Sequence, residues 1–211
     1  MSTLARVSPD ERRERILEAA REVFIASGLK GARTKDISDR AGVAEGLIFK
    51  HFESKEGLFE AAVTTPLEQM LAELVEAAKS MSASAPEDRV AASEELHAHL
   101  LRTMREVTPL LGLGLFSDRG RGERFYHEHI APLIKESSRV VAEATTSWAD
   151  PALDPRFVFL VMWGTHLALA LDASFQENPV DGTAARELTA LLSRSYSQPH
   201  RKAGNRRGAR H

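Results

Sequence analysis

The sequence has no cysteine among its 211 residues. A disulfide-stapled fold, a cysteine-type zinc finger, an iron–sulfur cluster and a thiol nucleophile are therefore excluded. No apolar run approaches the roughly 18 residues of a membrane helix, and the longest candidate, 157–171, is interrupted by Gly164, Thr165 and His166. The first residues are charged and contain no apolar signal core, so we expect a cytoplasmic protein.

The sequence also has little net charge, −2, but its basic and acidic side chains are unevenly distributed. Residues 58–193 carry 11 basic and 20 acidic side chains, whereas residues 194–211 carry six basic and no acidic ones. An acidic surface repels nucleic acid, so any phosphate contact is expected outside residues 58–193. We divide the chain into a head, residues 1–57, a body, residues 58–197, and a basic tail, residues 198–211, predicted to be disordered.

Start and stop signals predict an all-α fold, because alternating β-branched runs are absent. Ser8-Pro9-Asp10-Glu11 has the pattern of a capping box, and the helix that it starts is expected to end at Gly28. Further helices are predicted at 34–41, 44–52, from 54 onward, and at 87–106, 125–148, 155–176 and 183–196. Residues 80–86 are predicted to form a loop, and the glycine-rich residues 110–124 a broken helix or mobile loop.

Residues 30–52 have the spacing of a helix-turn-helix, in which the second helix lies in the DNA major groove. Gly42 permits the sharp turn, while Ile37 and Ile48 are placed to hold the two helices together. Helical hairpins with a glycine turn also occur in enzymes, so the spacing alone leaves both readings open.

The residues themselves closely resemble the DNA-binding head of TetR-family transcriptional regulators over about residues 12–62. The resemblance rests on Arg15-Ile16-Leu17-Glu18-Ala19-Ala20, Phe24, Gly28, Thr34, Asp36-Ile37, Arg40-Ala41-Gly42-Val43, Gly46, Phe49, His51-Phe52 and Ser54-Lys55-Glu56. It implies a three-helix head and a larger helical body that binds a small molecule and dimerises. It also implies a non-enzymatic regulator without a cofactor, most often a repressor, which binds a palindromic operator as a homodimer and is released by a small, mostly hydrophobic effector.

The resemblance further implies which residues contact DNA: Thr34, Lys35, Ala44, Glu45, Gly46, Leu47, Phe49, Lys50, His51 and Lys55. Thr34 is expected to cap the second helix and to touch a phosphate. His51 and Lys55 are also expected to touch phosphates. Lys50 is expected to face a phosphate or a guanine edge. Ala44 stands where a capping Ser or Thr is usual, at a cost of about 1 kcal/mol. Glu45 is expected either to accept from a cytosine or to favour the helix dipole and repel phosphate.

The body is predicted to contain a dimer face and a ligand cavity. The nearly all-apolar residues 157–171 require burial on several sides, which we expect in a homodimer through residues 155–196 or within a single subunit. The candidate cavity residues are Met104, Phe116, Phe125, Tyr126, Trp163 and His166, with residues 110–124 as a gate. His166 is expected either to bond a backbone carbonyl or to face the ligand. The i,i+2 histidine pairs 97/99 and 127/129 are poor chelates, so no metal is expected. An all-α enzyme and a protein-binding adaptor remain as alternatives.

Overall fold

The computed structural model describes residues 8–84, 86–145, 154–176 and 182–196, and every regular element within these ranges is helical. The basic tail predicted for residues 198–211 lies outside the described residues. The helices are α1 (Pro9–Gly31), α2 (Thr34–Ala41), α3 (Glu45–His51), α4 (Lys55–Ala83), α5 (Pro86–Phe116), α6 (Arg119–Phe125), a π-helical turn (Tyr126–Ile130), α7 (Ala131–Thr145), α8 (Pro155–Phe175) and α9 (Gly182–Tyr196). The prediction of an all-α fold is confirmed.

The head is built from the local signals that predicted it. The Ser8 hydroxyl accepts from the Glu11 N–H at 3.1 Å, and the Glu11 carboxylate accepts from the Ser8 N–H at 2.8 Å, which completes the capping box. Gly28 adopts φ +66°, a left-handed conformation that breaks α1 before one further turn ends at Gly31. Gly42 ends α2 in the same conformation, at φ +67°.

The long helix α4 differs from the prediction at its C-terminal end. Ser54 starts the helix by accepting from the Gly57 N–H at 3.0 Å, as expected of a cap. The helix then continues through the buried Pro66 to Ala83, so most of the loop predicted for residues 80–86 is helical. Helix α4 thus ends at Ala83, and α5 begins at Pro86.

Helix α5 passes through Pro109 instead of ending near it, so that prediction is wrong. Proline removes one backbone donor and costs roughly 3 kcal/mol in a helix interior. The flanking residues Val107 and Leu110 are fully buried, and burial of such side chains contributes about 1.5–3 kcal/mol each. Thr108 also donates its hydroxyl to the Met104 carbonyl at 2.6 Å. Tertiary packing therefore outweighs the local penalty.

The glycine-rich residues 110–124 form a broken helix, which was one of the two predicted alternatives, and not a loop. They form the end of α5 and all of α6 except Phe125, joined by a bend at Ser117 and Asp118, where the Asp118 side chain accepts from the Arg121 N–H at 2.9 Å. A Cβ at Gly122 would lie 2.1 Å from the Leu115 carbonyl oxygen, so this glycine lets α6 fold back directly onto α5. The segment predicted to be a gate is therefore helical on both sides of this bend.

Helix α5 lies at the centre of the body, where it packs against α4, α8 and α9, while α7 packs against α4 and α8. Helix α8 is long and apolar enough to cross a membrane by length and composition, a property that it shares with core helices of soluble proteins. One face of α8, which includes Phe159, His166 and Ala170, is buried in this core. Its opposite face is exposed, so burial within one subunit accounts for only part of its apolar surface.

Candidate nucleic-acid interface and body cavity

Helix α3 is anchored by one residue and presents its other side to solvent. Ile48 is fully buried against the head, in a core that includes Ile16, Phe24 and Ile37. The side chains that face outward include Lys50 and Phe49, whose ring is 51% exposed. Ala44, Glu45, Gly46, Leu47 and His51 complete the outer side as exposed or half-buried residues. Ala44 caps α3 without a side-chain hydrogen bond, which confirms that expectation.

Thr34 does not cap α2, so that prediction is wrong. Arg33 is the N-cap residue, and Thr34 is the first residue of the helix. The Thr34 hydroxyl donates to the Glu45 carboxylate at 2.5 Å, a contact that joins the N-termini of α2 and α3. A carboxylate at the end of a helix is favoured by the helix dipole, and here it also takes up a hydroxyl that was expected to meet phosphate. Glu45 therefore has a structural partner that spacing did not reveal.

The basic side chains of Lys35, His51 and Lys55 lie around α2 and α3. The Lys55 ammonium donates to the Ala32 carbonyl at 3.1 Å, which places it beside the segment that leads into α2. The exposed Lys35 pairs with Asp39 at 2.5 Å, an ion pair of the surface type that contributes about 0–1 kcal/mol. His51 lies against the ring of Phe52, with ring centroids 6.2 Å apart. The residues that were predicted separately thus lie around the two short helices α2 and α3.

A cavity lies between helices of the body, and three of the predicted ligand-binding residues border it: Met104, Trp163 and His166. Its volume is about 30 Å³, or about 390 Å³ when the space out to its open mouth is included. The remaining predicted residues lie elsewhere. Phe116 is 84% exposed at the end of α5, and Phe125 packs against Phe59 with ring centroids 6.3 Å apart.

Tyr126 begins the π-helical turn next to Phe125 and does not line the cavity either. Sequence reasoning missed seven lining residues, six apolar ones and Ser137. The apolar ones are Met70, Leu71, Leu74, Leu100, Phe159 and Met162. Their helical spacing predicted core positions, and only the distance between neighbouring helices decides which core positions border an empty space.

His166 both bonds a backbone carbonyl and faces the cavity. Its Nδ1 donates to the Met162 carbonyl at 2.7 Å, because the carbonyl can only accept. Its Nε2 must then accept from the Nδ1–H of the buried His97, at 3.0 Å. Burial lowers the pKa of His97 to about 4, with His166 as a second cause, and burial also lowers the pKa of His166. The two imidazoles are therefore neutral near pH 7.

Within the described ranges, no group of three His, Asp or Glu side chains is placed to hold a metal ion. His99 pairs with Glu73, and His129 lies 3.6 Å from Glu60, each across a helix–helix contact.

A family model, described as bacterial regulatory proteins of the tetR family, matches residues 16–62. This match covers α2 and α3 together with the parts of α1 and α4 that pack against them. The chain resembles the TetR family in this head.

Curated TetR-type relatives match mainly through this head. The transcriptional activator FasR of Mycolicibacterium smegmatis is 38% identical over 66 residues, 31% of this chain and 30% of FasR. The repressor KstR2 of the same species is 40% identical over 52 residues, 25% of each chain. This chain therefore spans less than a third of the length of these relatives. YhgD of Bacillus subtilis, an uncharacterised transcriptional regulator, is 25% identical over 81% of this chain and 88% of YhgD.

Solved structures extend the TetR likeness to the whole fold. A Rhodococcus protein assigned to the TetR family superposes with a TM-score of 0.67 at 20% identity, covering 90% of this chain and 100% of that one. A second regulator from Rhodococcus has a TM-score of 0.63 at 19% identity, covering 89% and 98%. The curated relatives are named as transcriptional regulators, and the solved structures share the fold of this chain.

Proposed function

We propose that the protein is a ligand-responsive transcriptional regulator of the cytoplasm, which binds a palindromic DNA operator as a homodimer and is released by a small, mostly hydrophobic effector. One observation carries the proposal: α3 buries Ile48 in a TetR-type head and turns Phe49 and Lys50 outward. A helix held in this way has a free side that fits the major groove. Most regulators of this type repress, and we propose repression here.

We propose that the head, residues 1–57, contacts DNA through the residues around α2 and α3. Lys50 and Phe49 on the outer side of α3 are assigned to the groove, with Gly46, Ala44 and Leu47 allowing close approach. Lys35, His51 and Lys55 are assigned to phosphates. Thr34 and Glu45 are assigned to the DNA contact as a pair, because the Thr34 hydroxyl reaches a phosphate only after it leaves the Glu45 carboxylate.

The exposed side of α8 supports dimerisation with a second copy of this chain. Six residues form the α8 stripe, spaced alternately by four and three positions: Phe157, Val161, Gly164, Ala168, Leu171 and Phe175. All six are exposed, and the ring of Phe175 is 85% exposed. This spacing is that of a helix that packs along a partner helix, and Gly164 and Ala168 leave room for close approach. We assign the homodimer to residues 155–196, which include α9.

The dimer assignment is tested by two matched valines. Val161 in the α8 stripe is 46% exposed, and Val90 on α5, outside the stripe, is 48% exposed. We expect Val161→Asp to yield a monomer by light scattering at micromolar concentration, while Val90→Asp remains dimeric. A wild-type protein that is monomeric at every concentration contradicts the assignment.

Helix α4 connects the proposed effector site to the head. Near its start, Phe59 packs edge-to-face on Phe24 of α1, with centroids 5.2 Å apart, and contacts Phe125 of the body. Further along, Met70, Leu71 and Leu74 of the same helix line the cavity. A ligand that displaces these residues therefore moves a helix that the head shares. By linkage, the ligand weakens DNA binding by its preference for the displaced conformer.

Pro66 lies between these two groups of contacts, and we propose that it is the hinge, because its missing N–H weakens the helix locally. Pro66→Ala is expected to reduce the effect of the effector on operator affinity. Unchanged coupling rejects the hinge.

Operator binding is tested by selecting bound sites from random duplex DNA, then measuring affinity by fluorescence anisotropy. We expect a palindromic site with half-sites about 34 Å apart and two subunits bound. Lys50→Ala is expected to weaken operator binding by about 5- to 150-fold, the effect of losing roughly 1–3 kcal/mol. Lys79→Ala is the control, since Lys79 lies on α4 and pairs with Glu76 at 2.7 Å. Failure to enrich any sequence contradicts the proposed function.

A further inference from the structure

Among the described residues, the lining of the body cavity carries no charged side chain. Its walls are apolar apart from Ser137 and His166, and none of the residues that line it is Asp, Glu, Lys or Arg. A buried ionic ligand without a counter-charge costs several kcal/mol of desolvation. The cavity therefore disfavours a ligand that must enter as an ion.

His166 cannot provide the missing charge at low cost. Both of its ring nitrogens already have partners, the Met162 carbonyl at 2.7 Å and His97 at 3.0 Å. Protonation of His166 at Nε2 would remove the lone pair that accepts from His97, so either two N–H groups would face each other or His97 would have to move its own proton from Nδ1 to Nε2. The rings also stack, with centroids 5.1 Å apart, so a charge on one is placed against the other. The histidine pair is built to remain neutral.

Ser137 is the polar group that remains available. It is 4% exposed, lines the cavity, and within the described part of the chain its hydroxyl makes no hydrogen bond. Its neighbour Ser138 is buried too, but donates to the Ile134 carbonyl at 2.6 Å. A hydroxyl that lacks a protein partner and borders an empty space is satisfied by a hydrogen-bonding molecule that enters that space.

We propose that the cavity selects an uncharged, largely apolar effector with one hydrogen-bonding group, which pairs with the Ser137 hydroxyl while its apolar part lies on Trp163 and the lining methionines. The inference rests on the proposed function in that the ligand is taken to be the effector. The volume of the cavity is only about 30 Å³, so the ligand must enlarge it. Met70, Met104 and Met162 allow this, because methionine side chains repack readily.

Binding is tested on the full-length protein without DNA, using octan-1-ol, octanoate and octylammonium as probes of equal chain length. Trp163 reports binding by its fluorescence in a Trp148→Phe background, which removes the second tryptophan of the sequence. At pH 7.5 we expect saturable binding of octanol and at least tenfold weaker binding of both ions. Octanoate that binds as tightly as octanol, or octanol that does not saturate, overturns the proposal.

Ser137→Ala is expected to weaken octanol binding about two- to tenfold, the effect of one neutral hydrogen bond, and to leave octane binding unchanged. Ser138→Ala is the matched control, with circular dichroism to establish that both variants fold. Equal octanol affinity in the wild type and Ser137→Ala overturns the role of Ser137. Operator affinity of the wild-type protein is measured separately. A protein that selects octanol over the two ions but binds no operator contradicts the proposed function and leaves the ligand class supported.

Discussion

One added methyl group at Gly122 is expected to destabilise the body. The Cβ of an alanine at this position would lie 2.1 Å from the Leu115 carbonyl oxygen and 2.9 Å from its carbonyl carbon. Both atoms are backbone, so relief requires α6 to move away from α5. Overpacking of this kind costs roughly 1–3 kcal/mol, and a contact with backbone belongs at the upper end. Alanine recovers about 1 kcal/mol of helix propensity, which leaves a net loss of about 2 kcal/mol.

The assay is thermal unfolding followed by circular dichroism at a fixed protein concentration. A net loss of about 2 kcal/mol lowers the melting temperature of a chain of this size by about 4–8 °C. Gly120→Ala in the same helix is the control, since its Cβ would meet only the Asp118 side chain, at 3.8 Å. Gly120→Ala is expected to leave the melting temperature unchanged or slightly higher. Equal melting temperatures for the two variants would refute the close approach of α5 and α6.

Further predictions concern charge and packing. Lys55→Ala is expected to lower the slope of log K against log salt for operator binding by about 0.9 for each subunit, about 1.8 for the proposed dimer, whereas Lys79→Ala keeps the wild-type slope. Glu45→Gln is expected to raise affinity for operator and random DNA alike at low salt, an effect that salt removes if it is electrostatic. Phe125→Ala should lower the free energy of unfolding by about 3–5 kcal/mol in denaturant titrations. His97→Gln should remove part of the acid sensitivity of folding between pH 6.5 and 4, measured as the difference from wild type at each pH.

The sign of the pH effect follows from the lowered pKa of His97, about 4 in the folded protein against an ordinary value of 6.5. Between these values the unfolded chain binds more protons, so wild-type stability falls as the pH falls through this range and is constant above it. The full effect is on the order of 3 kcal/mol, from about 1.4 kcal/mol for each unit of pKa. Carboxylates titrate below pH 5 in both proteins, so only the difference between them tests His97. Parallel pH profiles for the two proteins would contradict this assignment.

The sequence by itself determined the head and the class of the fold. The capping box at Ser8 and Glu11 and the left-handed glycines 28 and 42 act through neighbouring residues, so their effect is readable from local order. The buried positions of α3 and the full extent of α8 follow from helical periodicity in the same way.

Tertiary structure alone decided the features that depend on residues far apart in the chain. Helix α5 continues through Pro109 because neighbouring helices bury its flanking side chains, and Gly122 matters because Leu115 lies on a helix folded back against it. The same holds for the Thr34–Glu45 contact and for Ser137 in the cavity, since each requires two helices at a particular separation. Local patterns specify what a segment can form, whereas packing between segments fixes which side chains meet.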